Sequence, residues 1–318
     1  MTRTAPAGSG SERPNDIVPA AAHPAPSVAG PARPRLVNAV PAPFTKTVRG
    51  VTVPTIAIGV FEVDPGETEE TVADALAAGY RHVDTAVAYG NEEAVGRGLA
   101  RSGVDRDEVW VTTKAWMADY APRDLRASAE ASLRRLGIDR IDLLLLHWPP
   151  EDPAELAPAL EELERLRSDG LIRELGVSNF PAYMLRDAVA LSPELFADQV
   201  EYHPKLSQHE IRAVAEEADL LVEAYAPLGG SASDMIDEPV LKEIAAVHDA
   251  SPAQIAIAWL AHQDRVVVLP RSTNPERRRE NLAALEIDLT PDETARIDEL
   301  SERRERNFDP PFAPDWRD

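Results

Sequence analysis

Between Val53 and Leu285 the chain alternates eight short apolar runs with eight longer segments of helical period, and few folds accommodate that rhythm. The runs cover 55–58, 80–83, 109–113, 141–146, 174–177, 198–201, 220–225 and 266–269. The helical segments cover 67–78, 92–102, 122–136, 154–168, 181–191, 207–218, 252–262 and 275–285. Runs such as Leu143-Leu-Leu-Leu146 and Val266-Val-Val-Leu269 lack polar/apolar alternation, as parallel strands covered on both faces do. Helix starts are explicit at Ser251-Pro252-Ala-Gln254, which offers an N-cap serine, a first-turn proline and a capping-box glutamine. Gly79, Gly137 and Gly170 stand where left-handed helix ends belong. The pattern predicts an α/β fold, a (β/α)8 barrel of the TIM type. A doubly wound sheet is the alternative, but the first run is followed by Gly59-Val-Phe-Glu-Val rather than a Gly-x-Gly-x-x-Gly phosphate turn.

Upstream of the barrel, residues 44–53 read as a short hairpin turning at Arg49-Gly50. Residues 1–43 hold nine of the 28 prolines and almost no large apolar side chains. Such a stretch cannot bury enough surface to offset backbone ordering, so a disordered extension (1–43) preceding a barrel domain (44–318) is expected.

Composition removes several classes of chemistry. The chain has no cysteine, which excludes thiolate nucleophiles, iron–sulfur clusters and cysteine zinc sites. Its net charge of −22 argues against unspecific binding to nucleic acid or anionic membranes, so an anionic ligand needs a local basic patch. No apolar run approaches the roughly 18 residues of a membrane helix, and no apolar leader follows Arg3. A cytoplasmic monomer acting on a small molecule, with no nucleic-acid or membrane partner, is expected.

In a barrel, reactive side chains come from the carboxyl ends of the strands. Here the second run leads through Asp84 to Tyr89, the third ends in Lys114, the fourth in His147, the fifth in Ser178-Asn179, and the sixth carries Gln199. The seventh ends in Tyr225 and the eighth runs into Arg271-Ser272-Thr273. Lys114 alone reads as a surface lysine, and His147 alone as a hydrogen-bonded core histidine. Converging on one mouth they make joint sense: an ammonium beside a phenol lowers the phenol's pKa, and an aspartate holds that ammonium in place. The set predicts a tyrosine acid working nearer neutral pH than an isolated phenol of pKa about 10.

These residues carry a resemblance to the aldo-keto reductase family. Gly79-Tyr-Arg-His-Val-Asp-Thr-Ala-Val-Ala-Tyr-Gly-Asn-Glu-Glu-Ala-Val-Gly96 resembles its first signature. Leu146-His-Trp-Pro149, Gly176-Val-Ser-Asn-Phe180, Gln199-Val-Glu-Tyr-His-Pro204 and Leu269-Pro-Arg-Ser272 followed by Arg277 and Glu280-Asn281 resemble later segments in order. The resemblance, over about residues 45–300, implies an oxidoreductase reducing aldehydes or ketones with NADP(H), NAD(H) remaining open. It implies Tyr89 as proton donor, Lys114 and Asp84 tuning it, and His147 orienting the carbonyl. It also implies Tyr225 stacked on the nicotinamide, with Ser178, Asn179 and Gln199 on its carboxamide and Leu228 in the cofactor site. Arg271, Ser272 and Thr273 would meet the 2′-phosphate, Arg277 the adenine, and Glu280 and Asn281 the base edge. Phe61, Trp116 and Trp148 match pocket-wall positions, and the stretches 229–238 and 307–316 lie at the expected rim. Arg271 stands where lysine is usual and Ala226 where a serine often contacts the cofactor, which bears on cofactor preference. No resident metal is expected. A metal-dependent hydrolase built on His147, His203 and Asp84 is disfavoured, because its ligands would share their mouth with the Lys114 ammonium. The remaining alternative is a cofactor-binding barrel serving as a regulatory or interaction subunit.

Overall fold

The structure, a computed structural model, describes residues 44–230 and 233–317; the expected disordered extension lies outside the described residues. The hairpin is present: β1 (Thr45–Val48) and β2 (Val51–Pro54) pair antiparallel. Arg49 and Gly50 between them both have positive φ, 50° and 77°, the twist that a two-residue hairpin turn requires. Val48 and Val53 are buried in one cluster with Trp110, Phe196 and Leu221, so the hairpin caps one end of the barrel. The Arg49 guanidinium ties it down by donating to the carbonyls of Pro193, Ala218 and Asp219.

Eight parallel strands follow in chain order: β3 (Ile58–Gly59), β4 (His82–Asp84), β5 (Trp110–Ala115), β6 (Ile141–Leu146), β7 (Ile172–Ser178), β8 (Ala197–Glu201), β9 (Leu221–Tyr225) and β10 (Val266–Leu269). Each pairs with the next. The first expected strand, 55–58, is regular only at its end. Residues 55–57 instead meet β10 through single bridges, with Ala57 N donating to Val268 O at 2.8 Å and Val268 N to Thr55 O at 2.9 Å. That seam brings the first strand to the last.

The helices wrap the sheet as α1 (Pro65–Ala78), α2 (Glu92–Ser102), α3 (Pro122–Leu136), α4 (Leu156–Ser168), α5 (Ala182–Leu191), α6 (His209–Ala218), α7 (Pro239–Val247), α8 (Pro252–Ala261), α9 (Pro275–Ala283) and α10 (Pro291–Asp298). Two of them, α7 and α10, lie outside the eight expected segments. They pair through His248, whose Nε2 is 3.0 Å from Glu293 Oε1. No helix among the described residues is long and apolar enough to cross a membrane.

Two glycines in α2 let helices approach one another. A Cβ at Gly96 would stand 2.4 Å from the Leu136 carbonyl oxygen, and one at Gly98 would stand 2.7 Å from Val72 Cβ. Helix propensity alone would favour alanine by about 1 kcal/mol. At Gly96 the obstacle is backbone and cannot rotate away, so Gly96→Ala is expected to destabilise by ~1–3 kcal/mol. A chemical-denaturation midpoint at or above wild type would refute that close approach.

Candidate active site

The loop after β4 is pinned before it delivers its tyrosine. Thr85 Oγ1 donates to Asn91 Oδ1 at 2.9 Å, and Asn91 Nδ2 donates to Val60 O at 2.9 Å. A single 3₁₀ turn, Val87–Tyr89, then closes on Gly90 in the left-handed region. This sets the Tyr89 hydroxyl 3.3 Å from Lys114 Nζ at the end of β5. Lys114 is fully buried and donates to both Asp84 oxygens, at 2.9 and 2.8 Å, and to the Thr85 carbonyl at 2.8 Å. Burial opposes its charge, but Asp84 and Tyr89 outweigh burial and hold the ammonium above the usual lysine range.

The phenol departs from the sequence expectation. Burial pushes Tyr89 above the ordinary tyrosine value; Lys114 pulls it back only in part, and Asp84 adds to the rise. Without substrate the hydroxyl therefore keeps its proton firmly.

His147 follows β6, with its backbone N–H on Ala115 O at 3.1 Å and its carbonyl accepting from Asn179 Nδ2 at 2.9 Å. Burial, then the Lys114 charge, keeps the ring neutral, well below the usual histidine range. Its Nδ1 is buried without a hydrogen-bond partner. The ring lies 5.7 Å from Tyr89 and 5.4 Å from Trp116, centroid to centroid.

The structure thus gathers Asp84, Tyr89, Lys114 and His147 into one mouth. Beside them Ser178, Asn179, Gln199 and Tyr225 form a preset polar cradle. Asn179 sits at φ 63° and accepts from the Tyr225 hydroxyl at 2.8 Å, and Ser178 Oγ donates to Gln199 O at 2.8 Å. Gln199 Nε2 spends its two protons on carboxyl oxygens, Asp84 Oδ2 at 2.8 Å and Glu223 Oε2 at 2.7 Å. Its amide oxygen is then the end left to meet a ligand. Leu228 is half-buried against the core two residues beyond Ala226, whose φ of 47° turns the chain there.

Across the mouth the basic turn precedes α9. Asn274 caps that helix on the amides of Glu276 and Arg277. Arg271, Thr273, Arg277 and Glu280 are exposed and Ser272 is half-buried. Asn281 is buried near the Tyr80 hydroxyl, which donates to the Arg278 carbonyl at 3.1 Å. Arg271 donates to Glu62 Oε2 at 3.1 Å. Arg278, next to Arg277, is buried on Asp74 and serves packing.

The apolar wall is larger than the sequence expectation. Phe61 packs on Tyr89 at 5.0 Å, while Trp116 and Trp148 meet Phe312 at 5.7 and 5.3 Å. Trp316 adds to Trp148 at 6.3 Å, and Phe308 stands edge-on to Tyr225 at 5.4 Å. Sequence reasoning placed 307–316 at the rim without singling out these three rings, whose regular spacing of four was the available signal. The tail is anchored by Glu201, which accepts from the amides of Asn307 and Phe308, and by buried Lys205, which pairs with Asp234, Glu238 and Glu305.

A closed barrel with a buried lysine–aspartate pair under a tyrosine, a neutral histidine and a polar cradle defines a barrel oxidoreductase. The Aldo/keto reductase family model matches residues 55–302, and the chain belongs to that family. It is 42% identical over 262 residues to an aldo-keto reductase of Mycolicibacterium vanbaalenii, covering 81% of this chain and 92% of the relative. It is 38% identical over 265 residues to a 9,11-endoperoxide prostaglandin H2 reductase of Trypanosoma cruzi, covering 82% and 92%. Among solved structures, an aldo/keto reductase from Brucella melitensis aligns with a TM-score of 0.78 at 33% identity, covering 81% of this chain and all of that one. A Bombyx mori aldo-keto reductase in complex with NADP aligns with a TM-score of 0.77 at 32% identity, covering 84% and 95%.

Proposed function

We propose that the chain reduces aldehydes or ketones to alcohols with NADP(H), Tyr89 being the general acid. The observation that carries this reading is the Tyr89 hydroxyl held 3.3 Å from a fully buried, carboxylate-paired Lys114, with a neutral His147 beside it. The residues fit a nicotinamide cofactor. An amide oxygen on Gln199 and the Tyr225 ring, framed by Ser178 and Asn179, make a polar, partly aromatic lining suited to a planar amide-bearing ring. When bound, the cofactor supplies the hydride.

The chain's own residues do the rest. His147, neutral, donates an N–H to the carbonyl oxygen and fixes its direction. Tyr89 gives its proton to the same oxygen as negative charge grows there. Its high pKa is no obstacle, because the acceptor becomes a nascent alkoxide, a far stronger base than a phenolate. Lys114 stabilises the resulting phenolate, and Asp84 keeps Lys114 charged. Phe61, Trp116 and Trp148 exclude water and favour an apolar substituent on the carbonyl. Following cofactor absorbance across a panel of carbonyls tests the reading; no turnover with any aldehyde or ketone would remove it.

Cofactor choice rests on Arg271, Ser272 and Thr273 at the α9 N-terminus, with Arg277 on the adenine and Glu280 and Asn281 at the base edge. A guanidinium grips phosphate through two parallel hydrogen bonds. Arg271 here is already engaged by Glu62, so NADPH should be preferred over NADH by a narrower margin than a free cation would give. Arg271→Ala is expected to weaken NADPH by up to about a hundredfold and NADH far less, since each charge-assisted bond contributes ~1.5–3 kcal/mol. Titrating both cofactors by tryptophan fluorescence decides it; equal losses would mean that Arg271 does not read the 2′-phosphate.

A further inference from the structure

Beneath the tetrad lies a second carboxyl group to which the reaction as described gives no part. Glu223 sits in the middle of β9, fully buried, in register with Gln199 on β8 and Val267 on β10. It therefore faces the barrel interior together with Gln199, and the Gln199 amide is shared between Glu223 Oε2 and Asp84 Oδ2. On its other side, Glu223 Oε1 stands 3.5 Å from Thr112 Oγ1 and 3.6 Å from His82 Nε2.

The groups that face it are few. From β4 come His82 and Asp84, from β5 Thr112 and Lys114, from β8 Gln199; β10 offers Val267, and β6 contributes Leu143 and Leu145 to the apolar interior. Lys114 is the single cation among them, and it is bonded to Asp84. His82 adds no positive charge, because burial drives its pKa down to about 3.

The hydrogen bonds accommodate a neutral Glu223. Trp110 Nε1 donates to Thr112 Oγ1 at 3.2 Å. Thr112 has one proton and stands 2.9 Å from His82 Nε2, which accepts it when the neutral ring carries its own proton on Nδ1. With His82 in that tautomer, a neutral Glu223 can turn its proton on Oε1 toward Thr112 while its Oε2 accepts from Gln199, and no donor opposes another. An ionised Glu223 would instead put two carboxylates on one amide against one ammonium.

We propose that Glu223 is a positioning residue of this active site: protonated, it clamps the Gln199 amide against Asp84, and its ionisation switches carbonyl reduction off on the alkaline side. The proposal rests on the reading of Tyr89 as the acid. Reduction leaves a phenolate at Tyr89, and a second buried negative charge on the Asp84–Gln199 side disfavours that phenolate. Burial first, then the Asp84 charge, raises Glu223 to about 8, so the group changes state within reach of ordinary buffers. Tyr89 itself, pushed above the usual phenol value of about 10, titrates well beyond that point.

The test compares the pH dependence of kcat for aldehyde reduction in the wild type, Glu223→Gln and Glu223→Leu. In the wild type kcat should fall about tenfold or more as Glu223 ionises, a loss of one power of ten or more in transition-state stabilisation. Glu223→Gln keeps the clamp without the titrating proton, and its profile should lack that limb. Glu223→Leu removes clamp and charge together, so it should lack the limb and show a lower kcat than Glu223→Gln at every pH. Stability gives an independent readout. A carboxyl whose folded pKa is raised loses stability as pH climbs from its unfolded value, about 4.5, toward about 8. The Tm advantage of Glu223→Gln over wild type should therefore widen across that window. Should Glu223→Gln not fold, the Leu variant carries both measurements, since an apolar side chain suits a buried site. A wild-type limb that survives in either variant, or a Tm difference independent of pH, overturns the proposal. Absence of carbonyl reduction by the wild type would instead remove the reading on which it rests.

Discussion

Replacing the Tyr89 hydroxyl by hydrogen, as in Tyr89→Phe, is expected to lower turnover by roughly two to four orders of magnitude while leaving cofactor affinity nearly unchanged. The ring remains and still packs on Phe61 and His147, so the pocket keeps its shape. What disappears is the proposed proton donor beside Lys114. The hydroxyl makes one weak contact, 3.3 Å to Lys114 Nζ, so Tm should hardly move. Steady-state rates with a reactive aldehyde, alongside fluorescence titration of NADPH, separate these outcomes. A variant that turns over near the wild-type rate would show that the proton comes from elsewhere.

Lys114→Met should damage both stability and rate. The ammonium is fully buried and donates to both Asp84 oxygens and to Thr85 O. Its loss leaves a carboxylate facing the barrel interior with only the Gln199 amide for company. Removing one member of a buried pair costs about 3–5 kcal/mol. Turnover should drop by about a hundredfold or more, because in the proposed reaction the phenolate formed at Tyr89 loses its counter-charge. Neutralising the partner as well, in Asp84→Asn with Lys114→Met, should recover part of the stability and none of the rate. Equal unfolding midpoints for Lys114→Met and wild type would contradict the burial of this pair.

Much of this architecture was legible because barrel strands covered on both faces leave unbroken apolar runs, and because cap residues mark the intervening helices. The same rules reached α10 unheeded: Thr290 and Glu293 form a capping box, the very signal read at Ser251 and Gln254. The strand expected at 55–58 is regular only from Ile58, for a different reason. Its apolar residues are buried as expected, yet its pairing partner is β10 at the far end of the chain, and periodicity carries no information about register with a distant strand. Glu223 had a signal too, a carboxylate in the middle of a strand otherwise fit for full burial. What the sequence could not yield was the sign of the Tyr89 shift. Lys114 lowers that pKa as the residue types imply, but burial of the phenol depends on the folded surroundings and exceeds it. The tail rings escaped because Phe308, Phe312 and Trp316 lie in no regular element, so only long-range packing gives their spacing a meaning.

The seam between β3 and β10 also sets an order in time. Arg271 and Phe61 touch across 210 positions of sequence, and Gly59 bridges to Arg271 on the same line. Contacts so distant form late, since the chain between them must first be confined. At synthesis rates of roughly 5–20 residues per second, a growing chain spends on the order of 10–40 s between making Phe61 and making Arg271. Throughout that interval the first strand presents an edge with no neighbour on one side, the kind of surface that nascent-chain chaperones shield. The two halves of the proposed cofactor mouth are thus born far apart, and on that reading a ribosome-bound chain has no grip for a phosphate until the barrel is whole.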